Sequence, residues 1–271
     1  MNYQTFEPAT MLAPFIQCYW TLESAADALP QRQTIVPDGC MEMIFHYGDL
    51  YRQYTGADSW LLQPACFVIG QLTQPLVIEP TGKTAIFAVR FRPDGFRPFT
   101  AMPFKEMDNR AVALGDLFGA AGIAIGQGIC APVSTTERIA LVETFLSALL
   151  TDTVTIDHIV KETVSLVLAV KGKLDVAELS ARADLHRRQL ERRFAAAIGL
   201  SPKQLSKTIR LQHVLKRLLD GQFETLTTLA HEGDYYDQAH FIRDFKAFTG
   251  VSPKAFFGAQ LKLSGLFYKE K

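Results

Sequence analysis

No apolar run in this chain comes near the length of a bilayer crossing. The longest, such as residues 85–89 and 164–170, fall far short of the roughly 20 residues a spanning helix needs. No basic, apolar leader opens at Met1-Asn2-Tyr3-Gln4, and Pro8 and Pro14 interrupt that region, so a soluble, cytoplasmic protein that enters no membrane is expected. Cysteine is scarce: Cys18, Cys40, Cys66 and Cys130 are widely spaced, and no pair has zinc-knuckle or redox spacing. At 271 residues the chain can bury a core without disulfide staples, so buried free thiols are expected; a thiol sensor at Cys18 or Cys40 has no support. Residues 1–157 hold a single histidine, His46, which excludes a His-rich metal site there. Neither a glycine loop for phosphate nor a serine-nucleophile elbow is present, so no catalytic residue, metal ligand or cofactor is assigned.

Net charge is absent too, with 28 Lys and Arg against 28 Asp and Glu, but the balance is uneven along the chain. Residues 171–271 hold 18 basic against 11 acidic side chains, and residues 1–170 hold 10 against 17. The C-terminal part is therefore the one suited to an anionic partner.

What is present divides the chain in two. Apolar and β-branched runs at 33–36, 41–45, 66–69, 76–78 and 85–91 alternate with turn signals such as Pro37-Asp38-Gly39 and Pro80-Thr81-Gly82, predicting an antiparallel sandwich or barrel. From Pro93 to Gly128 the pattern is irregular, with a short helix over 110–117. An amphipathic helix is predicted over 134–150, with Ile139, Val142, Phe145, Leu146 and Leu149 on its stripe. Thr151-Asp152-Thr153 is the expected break between a β-rich domain of residues 1–150 and an all-α domain of residues 153–262. A helix over 156–170 opens the second domain and Gly172 stops it.

The C-terminal part repeats. Arg193-Phe194-(x4)-Gly199-Leu200-Ser201-Pro202-Lys203 returns as Asp244-Phe245-(x4)-Gly250-Val251-Ser252-Pro253-Lys254, 51 residues later. Each copy ends a helix-turn-helix pattern, one at about 176–198 and one at about 226–248, with a linker helix at about 203–219 between them. Leu190, Phe194 and Ile198 mark one buried stripe, Phe241 and Phe245 the other. Ser180 and Ala230 match at an offset of 50, so the second turn is one residue longer. A plain helical bundle with a solvated arginine face is the alternative, and the duplication favours DNA. The second helix of such a unit enters the major groove, where arginine suits guanine and glutamine suits adenine in paired hydrogen bonds.

Residues from about 155 to 260 resemble the DNA-binding domain of the AraC/XylS family of transcription regulators. The resemblance lies in Leu190-Glu191-Arg192-Arg193-Phe194, Gly199-Leu200-Ser201-Pro202, Gly250-Val251-Ser252-Pro253 and the stretch Tyr235-Tyr236-Asp237-Gln238-Ala239-His240-Phe241-Ile242-Arg243-Asp244-Phe245-Lys246. It implies two helix-turn-helix subdomains that read successive major-groove segments. By position, base contacts would fall to Arg188, Glu191 and Arg192 in the first unit and to Gln238, His240 and Arg243 in the second. Arg187, Lys203 and Lys254 would hold phosphates. Three departures stand out: His186 in place of a Ser or Thr cap, Ser180 in place of alanine, and Asp234 in place of glycine before the aromatic.

Residues 10–115 also resemble the N-terminal domain of some of these regulators, through Pro14-(x4)-Tyr19-Trp20, Ile35-Val36-Pro37-Asp38-Gly39-Cys40-Met41-Glu42-Met43-Ile44-Phe45 and Val89-Arg90-Phe91-Arg92-Pro93. This implies a cupin-like sensing or dimerisation domain. Asp38, Glu42, Arg90 and Arg92 either line a polar pocket or pair with one another at strand edges. Trp20, Phe45, Phe67 and Phe91 line a pocket or form core. No effector-binding residue is singled out. The expected partner is double-stranded DNA, with a small-molecule effector, a second copy in a homodimer, and RNA polymerase if the protein activates. The rival reading is a cupin-like small-molecule-binding enzyme with a helical appendage. An alkyl-transfer repair role, known for some relatives of the DNA-binding domain, would need a zinc-bound cysteine cluster that the scattered cysteines do not offer.

Overall fold

The computed structural model describes residues 1–26, 30–150, 157–221 and 225–256. Ten strands come first: β1 (Asn2–Phe6), β2 (Ile16–Ser24), β3 (Gln33–Ile35), β4 (Glu42–His46), β5 (Tyr51–Tyr54), β6 (Trp60–Leu62), β7 (Cys66–Ile69), β8 (Leu76–Pro80), β9 (Thr84–Phe91) and β10 (Ala111–Ala113). They form an antiparallel six-stranded sheet in the order β1-β2-β9-β4-β7-β10 and a four-stranded sheet in the order β3-β8-β5-β6. Five expected runs thus become β3, β4, β7, β8 and β9, while β1, β2, β5, β6 and β10 have no counterpart among them.

Every residue of β9 is buried because both faces of its sheet are covered. Ile86 and Ala88 pack toward the small sheet with Trp20, Tyr51 and Ile78. Phe87, Val89 and Phe91 pack to the opposite side with Tyr19, Phe45 and the helices described next. The period of two assigns the sides. Along β2 the alternation puts Tyr19 in one core and Cys18, Trp20 and Leu22 in the other, and a register shift between Ile16 and Cys18 returns Ile16 to the core of Tyr19.

The stretch after Pro93 is more ordered than its sequence suggests. Of the short helix expected over 110–117, residues 114–117 are helical as the start of α1 (Leu114–Cys130), while β10 before them pairs with β7. Five glycines in α1 lower its helix propensity and conceal it. Packing of Ile125 and Ile129 on the sheet core outweighs that cost. Gly119, at φ 58° and ψ −137°, kinks the helix. Helix α2 (Thr135–Leu149) matches its prediction and starts with a reciprocal cap between Ser134 and Glu137; Val142 and Leu146 of its stripe are fully buried. The end of α1 also brings the Cys130 Sγ to 3.6 Å from the Cys66 Sγ, a proximity the sequence spacing did not indicate.

The remainder is helical: α3 (His158–Ala169), α4 (Val176–Arg182), α5 (Arg187–Ala197), α6 (Pro202–Leu219), α7 (Leu226–Glu232), α8 (Gln238–Thr249) and α9 (Pro253–Phe256). The expected domain break at 151–153, the first residue of the helix predicted from 156, and the domain end at 262 lie outside the described residues. Helix α6 serves two cores. Its Leu205 joins Val160, Leu179, Leu190, Phe194 and Ile198, and its Leu211, Val214, Leu215 and Leu218 join Leu229, Phe241, Phe245 and Phe256.

Candidate nucleic-acid interface

Two helix-turn-helix units flank α6. In the first, residues 183–186 connect α4 to α5, and in the second, residues 233–237 connect α7 to α8, so the second turn is one residue longer, as the offset predicts. Both turns place an aspartate in the left-handed region, Asp184 at φ 50° and Asp234 at φ 55°. Glycine takes that conformation freely and aspartate only at a cost. Matching backbone bonds close the turns: Leu185 N–H to Ser180 O (3.1 Å) and Tyr235 N–H to Ala230 O (3.0 Å). Gly199 and Gly250, at φ 84° and 83°, stop the second helix of each unit.

The caps differ. Asp237 accepts from the His240 N–H at 2.7 Å and caps α8. At the equivalent place in α5, the His186 N–H donates to the Gln189 side chain at 3.2 Å, and no His186 side-chain bond closes the cap. The buried Ser180 Oγ has no hydrogen-bond partner among the described residues.

Of the residues expected to meet bases, Arg188, Arg192, Gln238 and Arg243 are exposed, and Glu191 and His240 are half-buried. Glu191 accepts from Arg187 Nε at 2.8 Å one turn away, so these two neutralise each other until a ligand intervenes. His240 Nε2 lies 3.4 Å from Asp244 Oδ2, and Lys207 Nζ lies 3.1 Å from Asp244 Oδ1. Asp244 thereby ties α8 to α6. Of the residues expected at phosphates, Arg187, Lys203 and Lys254 are all exposed.

An open groove of about 1180 Å³ runs between the units. It brings together Arg187 from the first, His240 and Arg243 from the second, and Lys203, Lys207 and Arg210 from α6 between them; Asp175 and Asp244 are its acidic members. Arg188, Glu191, Arg192, Gln238 and Lys254 do not line it. Lys207 and Arg210 are additions to the expected set. Their signal was legible: Lys203, Lys207 and Arg210 recur at i, i+4 and i+7 on one helix, which puts them on one face. Arg210 also lies over the Tyr235 ring at 4.8 Å, joining α6 to the second turn.

The β-rich part touches this assembly directly. Val36 is buried in the core of the second unit. Gln212 of α6 donates a hydrogen bond to the Pro37 carbonyl. Gly39, at φ 81°, has a Cβ position only 2.9 Å from Leu205 Cδ1, so its backbone lies close against the α6 side chains. Phe104 packs beside Gly199.

Behind that contact the two sheets flank a narrow cleft with mainly apolar walls. Trp20 and Phe67 line it, whereas Phe45 and Phe91 belong to the core on the other side of the sheet. Arg90 is buried and pairs with Asp38 at 2.5 Å and Glu42 at 2.7 Å; Arg92 instead donates to the Ala13 carbonyl at 2.9 Å. Burial raises the Glu42 carboxyl, against the opposing pull of Arg90. Burial also lowers His46 to about 4, which keeps it neutral near pH 7, and pushes the Cys40 thiol up to about 12. A thiol held protonated in this way is a poor sensor.

Residues 4–113 match a family described as a domain of unknown function (DUF6597), and residues 179–259 match one described as a helix-turn-helix domain. An uncharacterized HTH-type transcriptional regulator of Staphylococcus aureus is 32% identical over 85 residues, which span 31% of this chain and 11% of that relative. Among solved structures, ToxT from Vibrio cholerae aligns over 89% of this chain and 98% of its own, at 9% identity and a TM-score of 0.49. The DNA-binding domain of AdpA, solved in complex with a target DNA, aligns over 36% of this chain and 89% of its own, at 28% identity and a TM-score of 0.34. Residues 179–259 thus carry a helix-turn-helix domain, built as paired units on one linker helix, behind a β-rich domain of unknown function.

Proposed function

We propose that this chain is a sequence-specific DNA-binding transcription regulator whose DNA affinity responds to a small molecule at its N-terminal domain. The observation that carries the reading is the groove between the two units, where five basic side chains from α5, α6 and α8 converge. Residues 1–150 form the regulatory unit and residues 153–262 the DNA-binding unit. Arg187, Lys203, Lys207 and Arg210 face the phosphate backbone, with Lys254 at the start of α9. Phosphate contacts of this kind set register and supply most of the salt-sensitive affinity. Arg188, Glu191 and Arg192 read one major-groove segment and Gln238, His240 and Arg243 the next. Since the two sets differ, each monomer recognises an asymmetric site. A homodimer would bind two such sites, and RNA polymerase becomes a partner if the bound protein activates.

The test is fluorescence anisotropy with the full chain on DNA fragments selected from a random pool. A selected fragment is expected to bind at least about 10³-fold more tightly than random duplex, with log K falling linearly in log salt. Equal binding of selected and random DNA would overturn the site-specific reading.

A further inference from the structure

One short segment borders both the cleft and the linker helix. Ile35, Asp38 and Cys40 line the cleft, while Val36, the Pro37 carbonyl and the backbone at Gly39 meet the second unit and α6.

The polar groups that border the cleft share one character. Asp38 Oδ2 and Glu42 Oε1 accept from Arg90, and Glu42 Oε1 also accepts from Trp20 Nε1 at 3.3 Å. Two carboxyl groups share one guanidinium here, which makes this end rich in hydrogen-bond acceptors. The other end holds His46, 5% exposed, whose ring stacks on Tyr51 at 5.3 Å. His46 Nε2 contacts Gln63 Oε1 at 3.3 Å, and Gln63 Nε2 donates onward to Gln53 Oε1 at 3.3 Å. That relay assigns the imidazole proton to Nε2 and leaves Nδ1 an acceptor. Among the described residues Nδ1 has no hydrogen-bond partner, and an unmatched buried acceptor is costly unless something donates to it. Acceptor-bearing residues thus line the cleft at both ends, and the walls between them are apolar and aromatic.

We propose that the cleft takes a small apolar molecule bearing a cationic or hydrogen-bond-donating nitrogen, an aryl-alkyl amine in kind, and that residues 36–40 pass its occupancy to α6. The inference rests on the reading of the chain as a ligand-responsive regulator. An ammonium group beside Asp38 and Glu42 would compete with Arg90 for the carboxylates. A shift of Asp38 is carried by the backbone to Pro37 and Gly39, which contact Gln212 and Leu205 of α6. An anionic ligand meets the opposite situation, with a carboxylate placed against two carboxylates.

The probes are 2-phenylethylamine, 2-phenylethanol and phenylacetate, titrated into the full chain carrying Trp60→Phe. Since the sequence holds two tryptophans, Trp20 fluorescence then reports the cleft alone. The amine is expected to bind at least about tenfold more tightly than phenylacetate, and Glu42→Gln to weaken the amine about tenfold while sparing the alcohol. Bound amine is expected to change the affinity for a selected DNA fragment about fivefold or more. Gln212→Ala should remove that change and leave amine binding intact. Phenylacetate binding as tightly as the amine, or no response of Trp20 to any probe, overturns the proposed chemistry, and neither comparison depends on Glu42→Gln folding. Amine binding with unchanged DNA affinity overturns the transmission through residues 36–40. A chain that binds no DNA fragment overturns the regulator reading alone, because the Trp20 titration decides the cleft's chemistry without DNA.

Discussion

In the first helix-turn-helix unit Arg193 ties α5 to Asp157 at the start of α3, at 2.8 Å. In the second, the residue 51 places later is Asp244, which ties α8 to Lys207 of α6 at 3.1 Å. Equivalent positions thus carry opposite charges and hold the reading helix to different supports. The first reading helix is fixed within its own unit. The second is fixed to the element shared by both, inside the groove, where Asp244 also offsets the charge of Lys207. The scaffold residues repeat and the fastening does not, so the units are copies in core and distinct in attachment and in the side chains they expose.

The largest test of that comparison lies in the two cores. Phe194→Ala and Phe245→Ala each remove a fully buried ring and should destabilise by about 3–5 kcal/mol, read by urea denaturation. Each should disrupt mainly its own unit, since the rings lie in different cores. Equal loss of hydrogen-exchange protection in both units after either change would show that α6 fuses them into one cooperative body.

A smaller effect separates the reading surfaces. Arg188→Ala and Arg243→Ala should each weaken binding by about 1–3 kcal/mol and relax preference at different base positions. Selection of bound sequences from a random pool measures this. Relaxation at one common position would contradict the asymmetric site.

The smallest effects sharpen the comparison of the turns. Asp184→Gly and Asp234→Gly each relieve a left-handed aspartate and should stabilise by about 0.5–1 kcal/mol. Ser180→Ala removes a buried hydroxyl without a partner and should stabilise by about 1 kcal/mol. The Ser180 gain belongs to the first turn alone, because Ala230 already stands at that place in the second. Thermal melts resolve all three.

Much of this was readable in residue order because it is local. Helix stops at Gly199 and Gly250, caps at Ser201 and Asp237, and the stripe of Leu190, Phe194 and Ile198 depend on neighbours within a few positions. The one-residue difference between the turns followed from comparing offsets of 50 and 51. Helix α1 was hidden for the opposite reason: its glycines argue against a helix, and only burial on a distant sheet supports one. The basic stripe of α6 was available at helical spacing, but its role in the groove depended on where α8 lies. The choice for Arg90, between lining a pocket and pairing with Asp38 and Glu42, could not be made from strand pattern, because β4 and β9 are separated by four other strands in sequence.

The sequence by itself determined the helix-turn-helix units, their duplication, the β-rich character of the N-terminal part and the basic character of the C-terminal part. Each is a matter of periodicity, punctuation or count. Only the tertiary structure decided that residues 36–40 touch α6, that an acceptor-lined cleft lies behind them, and that Cys66 meets Cys130. Those contacts join segments tens to more than a hundred residues apart, and no local propensity specifies which distant surface will bury a given side chain.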